Sequence, residues 1–560
     1  MSSSLPTSVD VIVVGSGITG MSAAITAAHH GRSVVVLEQA KYLGGTSAVS
    51  GGWLWVPGNK KGAAEGDTRE AIESYIKAIA QDGYNPELVG GFLDAVPEAM
   101  AFFEDNTDME FVYADMAPDY QMTSPGAREH GRAVTVVRVD GRTAGKDRRR
   151  IQPYLSTITV FGYMPEIGKD LATVVQASYK FKAFVYLGWR IAKTWMQKVL
   201  FGRTLNRSNG NAIITRMVST AHKLNIPLLT NRSVTELVTD EAGRVTGVRL
   251  ADGAVVTANR GVILASGGFA GNPELRKQYF PHDRAGGNHT TPTVGQIGSS
   301  IKLGQQVGAV VDTTPHQAGP WGPVTTWRNL RGQDRVFPHL RNFGLPGLIA
   351  VNEDGIRFAN ESYSYHDFCR EMLKANEGKE HFHAWLVGDH RAVRRYGLGP
   401  VKPFPVPTWY YRAVVGLKKS RTIAGLAQQI GVPAGALEAT IADFNEGAAR
   451  GEDPKFQRGS TKFHHFKGDM AHKPNPNLAE LKKAPYYAIK ISMGDLGSFA
   501  GLAVDGSARV LNAQGTPIPG LYAGGTAAVS VFGGGYPGFG SNLGPGLVQG
   551  YLAARELSTD

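Results

Sequence analysis

The stretch VIVVGSGITG, Val11 to Gly20, decides the fold. Val11 to Val14 is a short apolar run rich in β-branched residues, which reads as a buried strand. It enters Gly15-Ser16-Gly17-Ile18-Thr19-Gly20 directly, and Met21, Ala24, Ile25 and Ala28 then recur at helical spacing. Strand, GxGxxG and helix form the dinucleotide-binding arrangement: Gly15 makes the tight turn, Gly17 lets a pyrophosphate approach, and Gly20 allows close helix packing. The helix N-terminus then faces the phosphates.

Working outward, a second strand, Ser33 to Leu37, ends at Glu38, the spacing at which a carboxylate accepts hydrogen bonds from a ribose. Immediately after comes a second glycine- and serine-rich cluster, Gly44-Gly45-Thr46-Ser47 and Ser50-Gly51-Gly52. Small residues and hydroxyls there suit a pyrophosphate or the flat ring of a flavin better than a nicotinamide.

The 560 residues, 42% hydrophobic, suffice for a large core and more than one domain. The single cysteine, Cys369, excludes an internal disulfide, a CxxC pair and a CxxCH haem site, and fits a reducing compartment. With no secretory signal pattern at the N-terminus, a cytoplasmic enzyme is expected. A net charge of +11 comes without zinc-finger spacing, an RNP motif or a basic heptad array, so no nucleic-acid partner is expected. The pairs His29-His30 and His464-His465, and the nearby His381 and His383, lack metal-ligand spacing, and no metal is expected.

GxGxxG, Glu38 and the Gly44–Gly52 cluster together resemble the fumarate reductase and 3-ketosteroid dehydrogenase superfamily of FAD proteins. NRSVTELVTD is similar to that family's strand whose backbone, near Val234, contacts adenine. RGVILASGGFAGN resembles the segment returning to FAD around Ala265, Ser266 and Gly267, and GLYAGGTAAVS the C-terminal segment around Gly525, with Thr526 where asparagine is usual. TVGQIGSSIKLG departs from a TGDG pattern, with Ser299-Ser300 in place of an acid and a glycine. The resemblance implies that FAD is held by Gly15, Ser16, Gly17, Thr19, Gly20, Glu38, the Gly44–Gly52 residues named above, Val234, Ala265 to Gly267, Gly525, and Ser541, Asn542 and Leu543. Members with covalent flavin carry a histidine within the Gly44–Gly52 cluster; this chain has none, so noncovalent FAD is implied.

Two chemistries compete within that superfamily. The discriminating stretch is GGGYPGFGSNLGPG, Gly533 to Gly546. Fumarate reductases place histidine and arginine there, since a carboxylate rewards a bidentate guanidinium. This chain instead resembles the YPGPG motif of 3-ketosteroid dehydrogenases, with Phe539 replacing the second proline, which implies that the Tyr536 hydroxyl and the Gly540 N–H hold a substrate ketone. So much glycine suits a backbone held very close to something, here the expected flavin. LIAVNEDGIRFANESYSYHDF is similar to the family's VNxxGxRFxNExxxY segment, whose final tyrosine, Tyr365, is implied as the base. Pro118-Asp119-Tyr120 matches a PDY segment and implies Tyr120 as the base's support, with Tyr113 as a substitute. The implied activity is FAD-dependent 1,2-dehydrogenation of a 3-ketosteroid, in steroid and lipid degradation, with electrons leaving to an external acceptor. Two alternatives stay open: the same chemistry on another cyclic ketone (an oxocyclohexane acid, or a 4-ene-forming steroid reaction), and a fumarate-type ene-reductase.

KFKAFVYLGWRIAKTWMQKVLF, Lys180 to Phe201, has Phe181, Phe184, Val185, Ile191, Ala192, Trp195 and Val199 on one helical face, and Lys182, Arg190, Lys193, Gln197 and Lys198 on the other. It lies in a region, Leu171 to Thr235, without a single Asp or Glu. Such a helix suits packing on the protein's own core, a dimer contact, or the surface of a membrane. The expected fold is α/β: a Rossmann-like FAD-binding domain, discontinuous (1–291, with a helical excursion at about 165–210, and 491–560), and an inserted α+β catalytic domain (292–490).

Overall fold

The computed structural model describes residues 5–284, 295–379 and 382–559. Strand Ser8–Val14 lies within an eight-stranded sheet. It pairs in parallel with Val34–Glu38, Val14 opposite Leu37, and with Val255–Leu264, Val14 opposite Leu264. Leu228–Thr230 and Pro517–Ala523 extend the parallel run on either side, so the C-terminal segment returns to the sheet that the N-terminus begins. Alternate residues of a strand face opposite sides. Val11 and Val13 accordingly join one apolar core with helices Ile18–His29 and Leu543–Ser558. Ile12 and Val14 join a second, beneath the antiparallel strands Val234–Thr239 and Val245–Leu250. Covering both faces explains why this strand reads as unbroken apolar sequence rather than as alternation.

The two helices touch backbone to backbone. A Cβ on Gly20 would lie 2.0 Å from the Gly15 carbonyl oxygen, and one on Gly550 would lie 2.3 Å from the Thr19 carbonyl oxygen. A side chain at Gly20 would push the first helix off the turn that precedes it, and one at Gly550 would push the two helices apart.

A separate, antiparallel sheet of six strands runs Asp334–Pro338, Val324–Arg328, Tyr486–Ser492, His383–Gly388, Leu348–Val351, with Lys418–Ser420 against Tyr486–Ser492. Ile349, Val351 and Val387 pack under helices Ile423–Ile430 and Ala434–Arg450, while Leu348, Ala350 and Leu386 pack under helix Tyr365–Ala375. Of the expected boundaries, 291/292 lies outside the described residues, as does His381. Strand Tyr486–Ser492 carries the antiparallel sheet past the expected 490/491 change-over.

A small sheet of Leu54–Trp55, Ala133–Val136 and Phe111–Tyr113 shares the first core and packs with helices Arg69–Ala80 and Pro86–Asn106 around fully buried Trp55 and Tyr75.

Helix Phe181–Phe201 forms as its periodicity predicts, but its orientation corrects the expected division of faces. The buried positions are Ala183, Arg190 and Thr194. Arg190 turns inward because its guanidinium finds the Tyr163 ring at 4.8 Å and Asp170 at 4.0 Å. Phe181, Val185, Trp189, Trp195 and Val199 face solvent, Phe181 and Val199 at 80% and 81% exposure. No helix among the described residues is long and apolar enough to cross a membrane.

Candidate active site

One cavity of about 1200 Å³ runs from the glycine turn to the antiparallel sheet. Its first end is lined by Gly15, Ser16, Gly17, Thr19, Glu38, Gly45, Thr46, Ser47, Ser50, Gly51, Gly52, Ala265, Ser266, Gly267, Gly525, Asn542 and Leu543. Gly20, Gly44, Val234 and Ser541 do not line it. Gly20 instead lets the first helix pack against the Gly15 turn, as described above. Gly44 has φ 101° and lies against Ile214, Val234 is an inward residue of its strand, and Ser541 Oγ bonds both the N–H and the carbonyl of Gly538, locking that turn.

Glu38 is aimed by its neighbours: one carboxylate oxygen accepts from Ser16 N–H at 3.0 Å and Ser16 Oγ at 2.6 Å, the other from Ala40 N–H at 2.8 Å. Ser47 Oγ caps the Ile18 N–H at 3.0 Å. Two departures from the family pattern also find a use. Thr526 Oγ1 accepts from Gly268 N–H at 3.1 Å, and Ser300 Oγ meets Ser266 Oγ at 2.6 Å, so both hold the turn after Val255–Leu264. Gln296, which the motif reading missed, is buried in the cavity wall and bonds Thr46 Oγ1 through Nε2, while its Oε1 has no partner among the described residues.

At the other end stand Tyr120, Tyr365, Tyr536 and Gly540. Tyr536 stacks on Tyr120 at 5.7 Å and meets Tyr365 edge-on at 5.4 Å. The Tyr120 and Tyr365 hydroxyls are 3.3 Å apart. Tyr113 lies elsewhere, its hydroxyl bonded to Glu104 at 3.0 Å. Tyr365 is the first residue of helix Tyr365–Ala375, capped by Ser364, whose Oγ accepts from Asp367 N–H at 3.0 Å. Burial, together with Tyr120, holds the Tyr365 hydroxyl well above its usual value near 10. The segment before it is pinned by buried ion pairs: Arg357 bridges Glu361 and Asp453, each at 2.8 Å, and Arg458 adds a bond to Glu361 at 3.0 Å.

The glycine run around Tyr536 is close to protein backbone more than to cavity space, which revises the expectation that it lies mainly along a flavin. A Cβ on Gly533 would lie 2.1 Å from the Gly83 carbonyl oxygen, and one on Gly540 (φ 92°) would lie 2.3 Å from Trp53. The Gly540 N–H has no acceptor among the described residues, and the residue lines the cavity. Pro537 ties the turn to both neighbours, its carbonyl accepting from Tyr75 OH at 2.7 Å and Tyr120 N–H at 2.9 Å. Asp119 is held by Trp55 Nε1 at 2.9 Å and Arg132 at 2.8 Å, and Arg132 also pairs with Asp67 at 2.7 Å. Burial still pushes the Asp119 carboxyl up to about 6. His366, behind Tyr536 at 5.9 Å, accepts from Trp321 N–H and is held neutral by burial.

A family model described as FAD binding domain matches residues 10–543. The chain belongs to this FAD-binding family. The chain is 51% identical to 4-oxocyclohex-2-ene-1-carboxylate 5-dehydrogenase of Sinomonas cyclohexanicum, over 98% of this chain and 93% of that protein. It is 34% identical to 3-oxosteroid 1-dehydrogenase of Mycobacterium tuberculosis (strain ATCC 25618 / H37Rv), over 98% of each. Among solved structures, 3-ketosteroid delta1-dehydrogenase from Sterolibacterium denitrificans, in complex with 1,4-androstadiene-3,17-dione, matches with a TM-score of 0.87 and 30% identity over 99% of each chain. The chain is thus an FAD-dependent oxidoreductase with the α/β fold of 3-ketosteroid dehydrogenases.

The cavity's first end fits that FAD. A Cβ on Gly17 would meet only Ser47 Oγ, at 3.5 Å, so what glycine keeps clear there is the cavity itself. The helix N-termini at Ile18 and Leu543 both open on the cavity, and Gln296 Oε1 awaits a donor.

Proposed function

We propose that this flavoenzyme introduces a double bond next to the carbonyl of a cyclic ketone, with the 1,2 bond of a 3-ketosteroid as the first reading. The observation that carries it is the convergence of the Tyr536 ring, the free Gly540 N–H and the Tyr365–Tyr120 hydroxyl pair on one cavity. Tyr536 OH and Gly540 N–H hold the carbonyl oxygen and stabilise the enolate as charge develops there, about 3 kcal/mol per donor. Tyr365 removes the proton from the α-carbon, and Tyr120 takes up the hydrogen bond that Tyr365 gives or receives. FAD bound by the glycine turn, Glu38 and the Gly44–Gly52 cluster supplies the acceptor for the β-hydride, noncovalently. The apolar walls exclude water while the proton is in transit.

A second reading keeps the chemistry and replaces the steroid with an oxocyclohexane acid, which the name of a 33% identical relative carries, the 51% identical one naming a cyclohexene counterpart. Anaerobic mixing with a saturated 3-ketosteroid or with 4-oxocyclohexanecarboxylate bleaches the flavin band near ~450 nm if hydride is transferred. No bleaching by any cyclic ketone, with reoxidation of the reduced protein by fumarate, favours the reductase instead.

The exposed aromatic and basic face of helix Phe181–Phe201 suits a peripheral contact with an anionic bilayer. Phe184, Leu187 and Ile191 of the same helix line the cavity, so the contact would sit beside the substrate entrance. A cytoplasmic, membrane-peripheral enzyme that passes its electrons to an external acceptor is the reading we adopt.

A further inference from the structure

The cavity wall beyond the tyrosines carries charge that a neutral substrate would leave unanswered. Its charged lining consists of Glu38, Arg341, Arg395, Lys402 and Lys467. Glu38 stands at the glycine-turn end and is already engaged by Ser16 and Ala40. Arg395 is paired with Asp469 at 2.9 Å. Among the described residues, no carboxylate lies within ion-pair distance of Arg341, Lys402 or Lys467.

Arg341 is the sharper case. Of its five N–H donors, one goes to the Phe466 carbonyl, from Nη2 at 3.2 Å; Nε is buried without a partner. The guanidinium lies 5.7 Å from the Phe466 ring. Lys467, only 3% exposed, donates from Nζ to the Tyr363 carbonyl and sits 3.8 Å over the Phe343 ring. Burial also presses its ammonium well below the usual lysine value. Rings and carbonyls solvate such cations only in part, and an uncompensated buried charge is costly.

Both cations border the reacting groups. Phe466 touches Phe539 at 5.0 Å, and Phe539 touches Tyr120 at 4.9 Å. Lys467 Nζ is 5.9 Å from the Phe463 ring, which lies 4.7 Å from Tyr120. Arg341 and Lys467 therefore line the same cavity as Tyr536 and Gly540, within one or two aromatic rings of Tyr120.

We infer that Arg341 and Lys467 form a carboxylate subsite, and that the ring ketone handled here carries a carboxylate. This rests on the cyclic-ketone reading above and narrows it. An anion there uses the guanidinium donors that the protein leaves free and supplies the charge that the lysine lacks. The glycine-rich turn around Tyr536 holds no cation, so recognition of the acid falls to the adjoining wall beside Phe466.

The test uses the FAD-loaded protein and cyclohexanecarboxylate, which has the acid but no ketone, with binding read by calorimetry. Arg341→Met and Lys467→Met are expected to weaken binding roughly 30-fold or more each. In turnover, the ratio of kcat/KM for 4-oxocyclohexanecarboxylate over its methyl ester is expected to fall by a similar factor in Arg341→Met. A parallel arm compares a 3-ketosteroid bearing a side-chain carboxylate with its methyl ester. An Arg341-dependent preference for the acid in either arm upholds the subsite, and the arm identifies the source. Unchanged cyclohexanecarboxylate affinity in a variant that keeps its FAD, or equal loss on acid and ester, overturns it. Arg341-dependent binding without bleaching by any ketone leaves the subsite standing and sinks the cyclic-ketone reading.

Discussion

The Tyr120 hydroxyl lies 3.3 Å from the Tyr365 hydroxyl, across 245 residues of chain. The pair joins a loop of the small N-terminal sheet to the first residue of a helix on the antiparallel sheet, so the proposed base and its support come from different parts of the fold. Tyr365→Phe is expected to lower kcat about 10²- to 10⁴-fold, the range for a lost general base, while the protein stays yellow. Tyr120→Phe should lose less, because the phenol it supports remains. Near-normal steady-state turnover in Tyr365→Phe removes it as the base.

Tyr536→Phe deletes one of the two proposed carbonyl donors and leaves the ring stack with Tyr120 in place. A loss of about 3 kcal/mol, or on the order of 10²-fold in kcat/KM, is expected. Gly540→Ala is a harsher change: its Cβ would lie 2.3 Å from Trp53, so the melting temperature should fall along with activity. Stability measured beside kinetics separates the two effects.

Burial raises the Tyr365 phenol above its usual value. The fraction able to accept a proton then grows with pH throughout the neutral and alkaline range, and log kcat/KM should climb without a plateau below about pH 10. A plateau near neutrality would point to a different base.

Arg132 serves two buried carboxylates, Asp67 and Asp119. Arg132→Leu leaves Asp119 without its cation and Asp67 with only Arg128, at 3.8 Å, and a loss of about 3–5 kcal/mol is expected, read as a lowered melting temperature. Since Asp119 adjoins Tyr120, turnover should drop at temperatures where the fold survives. A melting temperature within error of wild type would show that Trp55 and backbone N–H groups suffice.

For helix Phe181–Phe201, flotation with anionic liposomes should carry the wild type upward, and Lys182, Lys193 and Lys198 changed together to Glu should abolish it. Equal flotation of both proteins, or of neither, rules out the electrostatic membrane contact.

Local signals made much of this molecule legible. VIVVGSGITG announced its strand, turn and helix because β-branched runs, glycines at fixed offsets and a 3.6-residue period act within a dozen residues. Tyr365 and Tyr536 stood out because each sits inside a motif. What no matched motif position marked stayed hidden: Gln296 in the cavity wall, Arg132 beneath Asp119, and Arg341 and Lys467, which have no carboxylate partner among the described residues. Helix Phe181–Phe201 shows the same limit, since its periodicity marked two faces without saying which one faces inward.

The sequence by itself determined the dinucleotide-binding strand, turn and helix, because those depend on short-range spacing, and through its resemblance to a family it pointed to the tyrosines. Only the tertiary structure decided that Arg190 turns inward, that the Gly533–Gly546 glycines chiefly accommodate protein backbone, and that a guanidinium is left without a carboxylate beside the reacting end. The physical reason is common to all three. Burial, close approach and charge compensation depend on partners tens to hundreds of residues away, and only the folded chain brings them within a few ångströms.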